Sequence, residues 1–198
     1  MDPYLSRLGL EDSRWLDPAT AAIIVVISLI AAFASHKLIF PLVIRVTRWT
    51  PTDLDSRILR AARWPFTAGL VVLGGYLATV ISFDLTETQR ETADKSGGLL
   101  GIVLGILTVV GVVSAALDWY LENLAYRTQQ VLDVRLFPLL RRVVVALIYG
   151  VGALLILDLL DINISPLVAG MGLGGLAVAL AIQTTLANLF AGTYVMTE

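Results

Sequence analysis

The chain contains five long segments without a charged residue, and these segments restrict its fold more than any other feature of the sequence. They are Pro18–Ser35, Trp64–Phe83, Ser96–Leu117, Val143–Leu157 and Ile162–Thr197. A helix of roughly 17 to 25 apolar residues crosses a membrane, and all but the fourth segment reach that length. The fourth reaches it if Asp158 lies at its outer end. With 57% hydrophobic and 15% charged residues, the sequence predicts an all-α integral membrane protein with five transmembrane helices.

Basic residues are divided unequally between the two ends of these spans. Four lie on the side of the N-terminus and ten lie on the other side. Because cytoplasmic loops carry an excess of Lys and Arg, we predict that the N-terminus is outside and the C-terminus is in the cytoplasm. The outer four are Arg7, Arg14, Arg90 and Lys95. The inner ten are Lys37, Arg45, Arg48, Arg57, Arg60, Arg63, Arg127, Arg135, Arg141 and Arg142.

Two stretches of the sequence resemble each other at an offset of 78 residues. LDSRILRAARWP begins at Leu54 and LDVRLFPLLRRV begins at Leu132, and at the same offset Gly74 corresponds to Gly152. Many membrane proteins are built from internal repeats. The pattern therefore predicts that spans one and two are an older copy of spans three and four, although two positive-inside connectors that converged in composition would give the same pattern.

Prolines mark the expected starts of three helices. Pro65 and Pro138 are predicted to lie in the first turn of the outward-going helices, where a missing N–H costs nothing. Ser165 and Pro166 mark the start of the last helix in the same way.

The fifth uncharged segment is too long to cross a membrane as one straight helix. Its 36 residues would extend about 54 Å, against a hydrocarbon layer of about 30 Å. Gln183, Thr184 and Thr185 interrupt the apolar run, and Thr side chains can bond to the preceding turn and bend a helix. We therefore predict that the helix breaks near these residues. Leu186–Thr197 would then lie along the cytoplasmic interface, with Asn188 on its polar side.

The first half of the fifth span combines bulky and small residues in a regular pattern. At about 100° per residue, Leu173, Leu176 and Leu180 form one narrow stripe. Small residues, which let membrane helices approach closely, lie on both sides of the stripe. One flank holds Gly172, Gly175 and Ala179, and the other holds Gly174, Ala177 and Ala181. This pattern suits a helix between two copies of itself in a closed ring, with the leucines at a constriction; ordinary helix packing is the alternative.

The segment INISPLVAGMGLGGLAVALAIQTTLANLFAG, from Ile162 to Gly192, resembles the pore-lining helix of the small-conductance mechanosensitive channel (MscS) family. The stretch LDVRLFPLLRRV resembles the connector that precedes this helix in the family. The resemblance covers Asp118–Glu198 and is faint before it, where many members have additional spans. It implies a homo-heptamer opened by membrane tension, with Leu176 and Leu180 at the hydrophobic constriction.

The sequence departs from the family pattern at two places. Thr184 stands where the prototype of the family has a glycine at the kink, and Gly192 matches the other flexible point of the family. Family members continue into a β-domain and a cytoplasmic vestibule, whereas this sequence ends at Glu198; we expect both to be absent from this chain, which is either a shortened piece of a longer protein or a member without the cage. The expected regions are residues 1–117 with the peripheral, lipid-facing sensor spans, 118–161 with a connector and span four, and 162–198 with the pore helix and interfacial segment.

The predicted function is an ion channel opened by membrane tension. Rings of leucine in a narrow pore disfavour water, so ions meet a dewetted barrier. No ionisable side chain lies between Pro166 and Thr197, so we expect weak selectivity and release of ions and small solutes on hypo-osmotic shock, across a prokaryotic cytoplasmic membrane. Membrane lipids are expected partners, with arginines anchored at the inner headgroups; plain topology anchoring explains the same residues. The candidate anchors are Arg60, Arg63, Arg141 and Arg142.

Other classes of function find less support in the sequence. With no cysteine and a single histidine, His36, we predict no disulfide, no metal, no cofactor and no nucleic-acid partner. An enzyme would need a nucleophile–base pair or a metal set, and we expect His36 to be an interfacial residue. A secondary transporter normally keeps charged residues at mid-membrane, whereas Asp118, Asp158 and Asp161 fall at span ends. A non-conducting scaffold or assembly subunit is the main alternative.

Overall fold

The computed structural model describes residues 16–47, 53–125 and 131–195, and its regular structure is entirely helical. The elements are α1 (Leu16–Ala34), a π-helical turn (Ser35–Ile39), α2 (Phe40–Thr47), α3 (Leu54–Ser82), α4 (Glu87–Ala125), α5 (Val131–Leu159) and α6 (Ser165–Val195). The π-helical turn joins α1 to α2 without a loop. Short connections at residues 83–86 and 160–164 lead from α3 into α4 and from α5 into α6.

Five helical segments within the described ranges are long and apolar enough to cross a membrane. They are Pro18–Arg45, Leu54–Ser82, Glu87–Asn123, Pro138–Leu159 and Ser165–Gly192. The predicted number and order of the spans are therefore confirmed. The first four segments are longer than the uncharged stretches, because the helices continue through the charged residues at their ends.

Two helices begin well before the prolines that were expected to start them. Pro65 and Pro138 lie inside α3 and α5, so the prediction that these residues open the two helices is wrong. The residues before each proline include Arg and Leu, which are good helix formers, and they extend the helices backwards. The last helix does begin at Ser165 with Pro166 in its first turn.

Consecutive spans pack side by side in chain order. α1 contacts α3, α3 contacts α4, and α4 contacts α5. Two buried glycines mark close approaches. A Cβ on Gly74 of α3 would overlap Ser28 of α1, and a Cβ on Gly152 of α5 would overlap Ile106 of α4. The absence of a side chain at these two positions lets each pair of helices come together.

These two close approaches support the predicted repeat. Residues 28 and 74 are 46 positions apart, and so are residues 106 and 152. The second pair follows the first by the same 78 residues that relate the two similar stretches. The hairpin of α1 with α3 and the hairpin of α4 with α5 therefore use corresponding positions for their closest contact. Connectors that had merely converged in composition would not set this register inside the spans.

α6 is one uninterrupted helix. The predicted break at Gln183–Thr185 is therefore wrong for this structure, and residues 186–195 continue the same helix instead of forming a separate interfacial segment. Glutamine and threonine keep their backbone N–H groups, and no glycine or proline lies between Gly175 and Gly192, so no helical hydrogen bond is removed. The 31 residues extend about 46 Å at 1.5 Å per residue. A helix of this length tilts or projects beyond the hydrocarbon layer.

Candidate pore helix

α6 has few neighbours in its own chain. Every residue of α6 whose side chain is described is exposed. Its approach to α5 is marked by Met171, whose Cε lies 3.8 Å from the position that a Cβ on Gly150 would occupy. The other spans form a row in which each packs on the next. The apolar surface of α6 is therefore open to lipid or to other copies of the chain.

The three leucines of the predicted constriction lie on one side of α6. Because the helix is regular, residues separated by three, four or seven positions project from the same face. The exposed fractions of Leu173, Leu176 and Leu180 are 69%, 57% and 62%. α6 thus carries an exposed stripe of leucines such as a constriction requires, and the role of these leucines as a gate stays a prediction.

The predicted helix-packing residues flank this stripe and are also exposed. They are Gly172, Gly174, Gly175, Ala177, Ala179 and Ala181. A Cβ added to any of the three glycines would meet no atom of the chain within 4 Å. At Gly74 and Gly152, by contrast, an added Cβ would overlap a side chain of a neighbouring helix. Packing within the chain therefore does not explain the small residues of α6, and their contact with other copies stays a prediction.

The predicted hinge residues are all part of the continuous helix. Gln183, Thr184, Thr185, Asn188 and Gly192 are exposed in α6, and the structure does not bring them together. A Cβ on Gly192 would meet nothing within 4 Å. Glycine has the weakest helix propensity after proline, so Gly192 is the residue of this group at which flexibility stays a prediction.

A tight turn leads from α5 into α6. The N–H of Ile162 donates to the carbonyl of Leu157, and the N–H of Asp161 donates to the carbonyl of Asp158, each at 3.0 Å. This is the Schellman pattern that closes a helix, and it requires a left-handed residue that is usually glycine. Asp161 takes that conformation, with φ of 59°. The side chain of Asn163 then accepts a hydrogen bond of 3.0 Å from the first N–H of α6.

Ion pairs join neighbouring elements at both ends of the bundle. Arg57 of α3 donates two hydrogen bonds, of 2.9 and 2.5 Å, to the carboxylate of Glu122 on α4. At the opposite end of α4, Lys95 Nζ lies 2.6 Å from Asp161 and 2.7 Å from Glu91. The pairs between elements link residues 65 and 66 positions apart, so no local sequence pattern could predict them.

In the described ranges, no three His, Asp or Glu side chains could together hold a metal ion.

Two of the four arginines predicted to anchor lipid connect helices within the chain. Arg63 of α3 donates a hydrogen bond of 2.5 Å to the carbonyl of His36 in the π-helical turn. Arg141 of α5 lies 3.0 Å from the carboxylate of Asp118 on α4. Arg63 and Arg141 are separated by the 78 residues of the repeat. In each hairpin the second helix is therefore tied to the first by an arginine at the corresponding position.

The other two arginines have different surroundings. Arg60 folds back along α3, where its Nε donates a hydrogen bond of 3.0 Å to the carbonyl of Ser56. Arg142 lines an open cavity of about 400 Å³ between α4 and α5, together with Leu121 and Pro138. The guanidinium groups of these two residues are not engaged in the interhelical contacts made by the first two. Lipid anchoring stays a prediction for all four arginines.

Comparisons with known proteins bear directly on α6. The family model "Mechanosensitive ion channel, transmembrane helices 2/3" matches residues 142–183. The large-conductance mechanosensitive channel MscMJLR of Methanocaldococcus jannaschii is 30% identical over 148 residues, which cover 74% of this chain and 40% of that protein. The small-conductance mechanosensitive channel MscMJ of the same organism is 28% identical over 179 residues, which cover 89% and 51%. An uncharacterized MscS family protein of Bacillus subtilis, YhdY, is 30% identical over 165 residues, which cover 80% and 42%.

The chain belongs to the MscS family. This confirms the predicted family, whose members are channels and not enzymes. As an MscS family member with five apolar spans, the chain is an integral membrane protein. The matched residues 142–183 include the leucine stripe and both small flanks. The chain spans 40% and 51% of the two archaeal channels, and no solved structure matches it.

Proposed function

We propose that this chain forms the transmembrane region of a homo-oligomeric channel that opens when membrane tension rises, with seven copies in the ring as the family resemblance implies. The observation that carries the proposal is the exposure of α6. None of its described side chains is buried within the chain. A ring of copies would bury the small flanks against neighbouring α6 helices and turn the leucine stripe toward the axis. The names of MscMJLR and MscMJ as mechanosensitive channels support conduction.

The gate of this channel is hydrophobic. Rings formed by Leu176 and Leu180, with Leu173 beside them, narrow the pathway and expel water, so ions meet a barrier without any plug. Tension favours the state that occupies more membrane area, and separation of the α6 helices widens the rings. Because residues 166–195 contain no Asp, Glu, Lys, Arg or His, the open pathway passes ions and small solutes with weak selectivity.

The remaining helices transmit membrane tension from the lipid to α6. Residues 1–117 contain the peripheral spans that face lipid, residues 118–161 contain the connector and the fourth span, and residues 162–198 contain the pore helix. The excess of basic residues at one end of the spans supports an orientation with that end in the cytoplasm and the N-terminus outside, and the proposed membrane is a prokaryotic cytoplasmic membrane. Arg60, which bonds within its own helix, and Arg142, which lines an open cavity, hold the inner headgroups.

The test is electrical recording from liposomes that contain the purified chain, with suction applied to the patch. The proposal requires stepwise currents that appear above a defined tension and are missing from liposomes without protein. Recordings in salt gradients then measure selectivity, which should be weak. Patches that remain silent up to the tension at which the bilayer ruptures would favour the non-conducting scaffold.

A further inference from the structure

The contact between Lys95 and Asp161 lies where α4 meets the turn that begins α6. Lys95 Nζ is 2.6 Å from Asp161 Oδ2, across a gap of 66 residues in the chain. The same ammonium group is 2.7 Å from Glu91, one turn earlier on α4. The pair with Asp161 therefore joins two elements, whereas the pair with Glu91 stays within one helix. This difference makes Glu91 a matched control for the contact.

Lys95 lies among acidic groups that come from two sides. Carboxylates of α4 and carboxylates of the α5–α6 region face one open cavity of about 720 Å³. The charged residues that line it are Glu87, Arg90, Glu91, Asp94, Lys95, Asp158 and Asp161. Like charges at such distances repel unless a cation lies between them. Arg90 and Lys95 are the two cations that line this cavity, and Lys95 is the one that pairs with a carboxylate of α4 and with Asp161.

The turn holds an aspartate at its left-handed position, with φ of 59° at Asp161. Glycine is the usual residue in that conformation, and Asn and Asp are the side-chain-bearing residues that adopt it most readily. A glycine would close the turn equally well but would carry no charge. The aspartate closes the turn and also supplies a carboxylate that reaches Lys95 of α4.

We propose that the Lys95–Asp161 ion pair couples α4 to the start of α6, so that movement of α1, α3 and α4 in the membrane reaches the outer end of the pore helix. This inference rests on the proposed function. α6 makes only sparse contact with the other helices in the described part of the chain, marked by Met171 beside Gly150, so the turn after α5 is the main covalent route by which displacement reaches it. The Schellman bonds and the Asn163 cap make that turn rigid, and the ion pair fixes it to α4. Lys95 and Asp161 are positioning residues that act on the gate through α6.

The experiment measures open probability against membrane tension in liposome patches for the full chain and a set of variants. Asp161→Asn and Lys95→Met remove the coupling, and the curve should shift to higher tension and become shallower. Lys95→Met should shift it further, because it leaves carboxylates facing one another. Asp161→Gly relieves the left-handed conformation and removes the charge, so it should gate like Asp161→Asn. Glu91→Gln should leave the curve close to that of the unmodified chain.

Two combinations separate coupling from a merely structural role. The double variant Lys95→Met with Asp161→Asn should shift the curve no further than Lys95→Met alone, since both changes remove one contact. The exchanged pair Lys95→Asp with Asp161→Lys should recover part of the lost sensitivity. The coupling would be overturned if Asp161→Gly gated like the unmodified chain, or if Glu91→Gln shifted the curve as much as Asp161→Asn does. Either result would leave the proposed channel function intact. An unmodified chain that never conducts under tension would overturn the channel itself, and the coupling with it.

Discussion

A leucine that faces the axis of a ring and a leucine that faces lipid respond in opposite ways to a polar substitution. At the axis, a serine hydroxyl lets water enter a dewetted constriction and lowers the barrier to ions. We therefore expect Leu176→Ser and Leu180→Ser to open at lower tension or to leak at rest. Recording from patches under suction measures the threshold, and slowed growth of cells that express either variant provides an independent readout.

The matched control is Val178→Ser on the opposite side of α6. Val178 is exposed, as Leu176 and Leu180 are, but it lies about 160° to 170° away from the centre of the leucine stripe at 100° per residue. This variant should keep the original threshold. Equal opening thresholds in Val178→Ser and Leu180→Ser would show that the leucine stripe does not form the gate.

The small flanks of α6 allow a second test at single residues. A Cβ on Gly175 meets nothing within 4 Å in its own chain, so a larger side chain there begins in open space. We therefore expect the effect of Gly175→Leu to come from contact with another copy. We expect Gly175→Leu and Ala177→Val to raise the opening threshold or to prevent assembly, because added bulk separates neighbouring helices. Native mass spectrometry and patch recording measure the two outcomes, and normal assembly with normal gating in both variants would contradict the two-flank arrangement.

At the scale of elements, the sequence predicted what depends on local composition. Five uncharged runs gave five spans in the right order, because hydropathy is summed within one segment. The break at Gln183–Thr185 was wrong because polar side chains weaken an apolar run without removing backbone hydrogen bonds. The ion pairs of Arg57 and Lys95 were not predicted, since each depends on how helices distant in sequence pack. The correspondence of Gly74 with Gly152 follows from the repeat in the sequence alone.

That correspondence gives a quantitative prediction for the two hairpins. Replacing glycine by alanine inside a helix ordinarily stabilises it by about 0.5 to 1 kcal/mol. At Gly74 and Gly152 the added Cβ overlaps the neighbouring helix, and overpacking of this kind costs about 1 to 3 kcal/mol. Both variants should therefore lower the melting temperature in detergent. Gly74→Ala should have the larger effect, because it meets Ser28 close to the backbone whereas Gly152→Ala meets the flexible end of Ile106.

Gly75→Ala is the control for this pair. It lies beside Gly74 in the same helix, and a Cβ there meets nothing within 4 Å. Its melting temperature should stay the same or rise. Circular dichroism at the helical minimum follows all three variants, and a rise for Gly74→Ala would show that α1 and α3 do not approach each other as closely as described.

At the scale of the whole molecule, the arrangement of copies around α6 decides between a channel and a simple packing surface. In a closed ring the contact is heterologous, so one flank of each α6 meets the opposite flank of the next copy. In a two-fold dimer the same flank would meet itself. The chain contains no cysteine, so introduced cysteines report on this contact without background.

We therefore expect a single cysteine at Ala179 or at Ala181, one on each flank, to give little disulfide cross-linking, because in a ring neither position faces its own copy. The two changes together, Ala179→Cys with Ala181→Cys, should bring the Cβ atoms of cysteines in neighbouring copies within the separation of about 3.5 to 4.5 Å that a disulfide requires. Oxidation in lipid should then give a ladder of covalent multimers on a denaturing gel. The ladder should end at the size of the ring, seven copies if the family pattern holds. Strong dimers from either single cysteine, with no larger product from the double variant, would show a two-fold contact between α6 helices, and a two-fold contact encloses no pore.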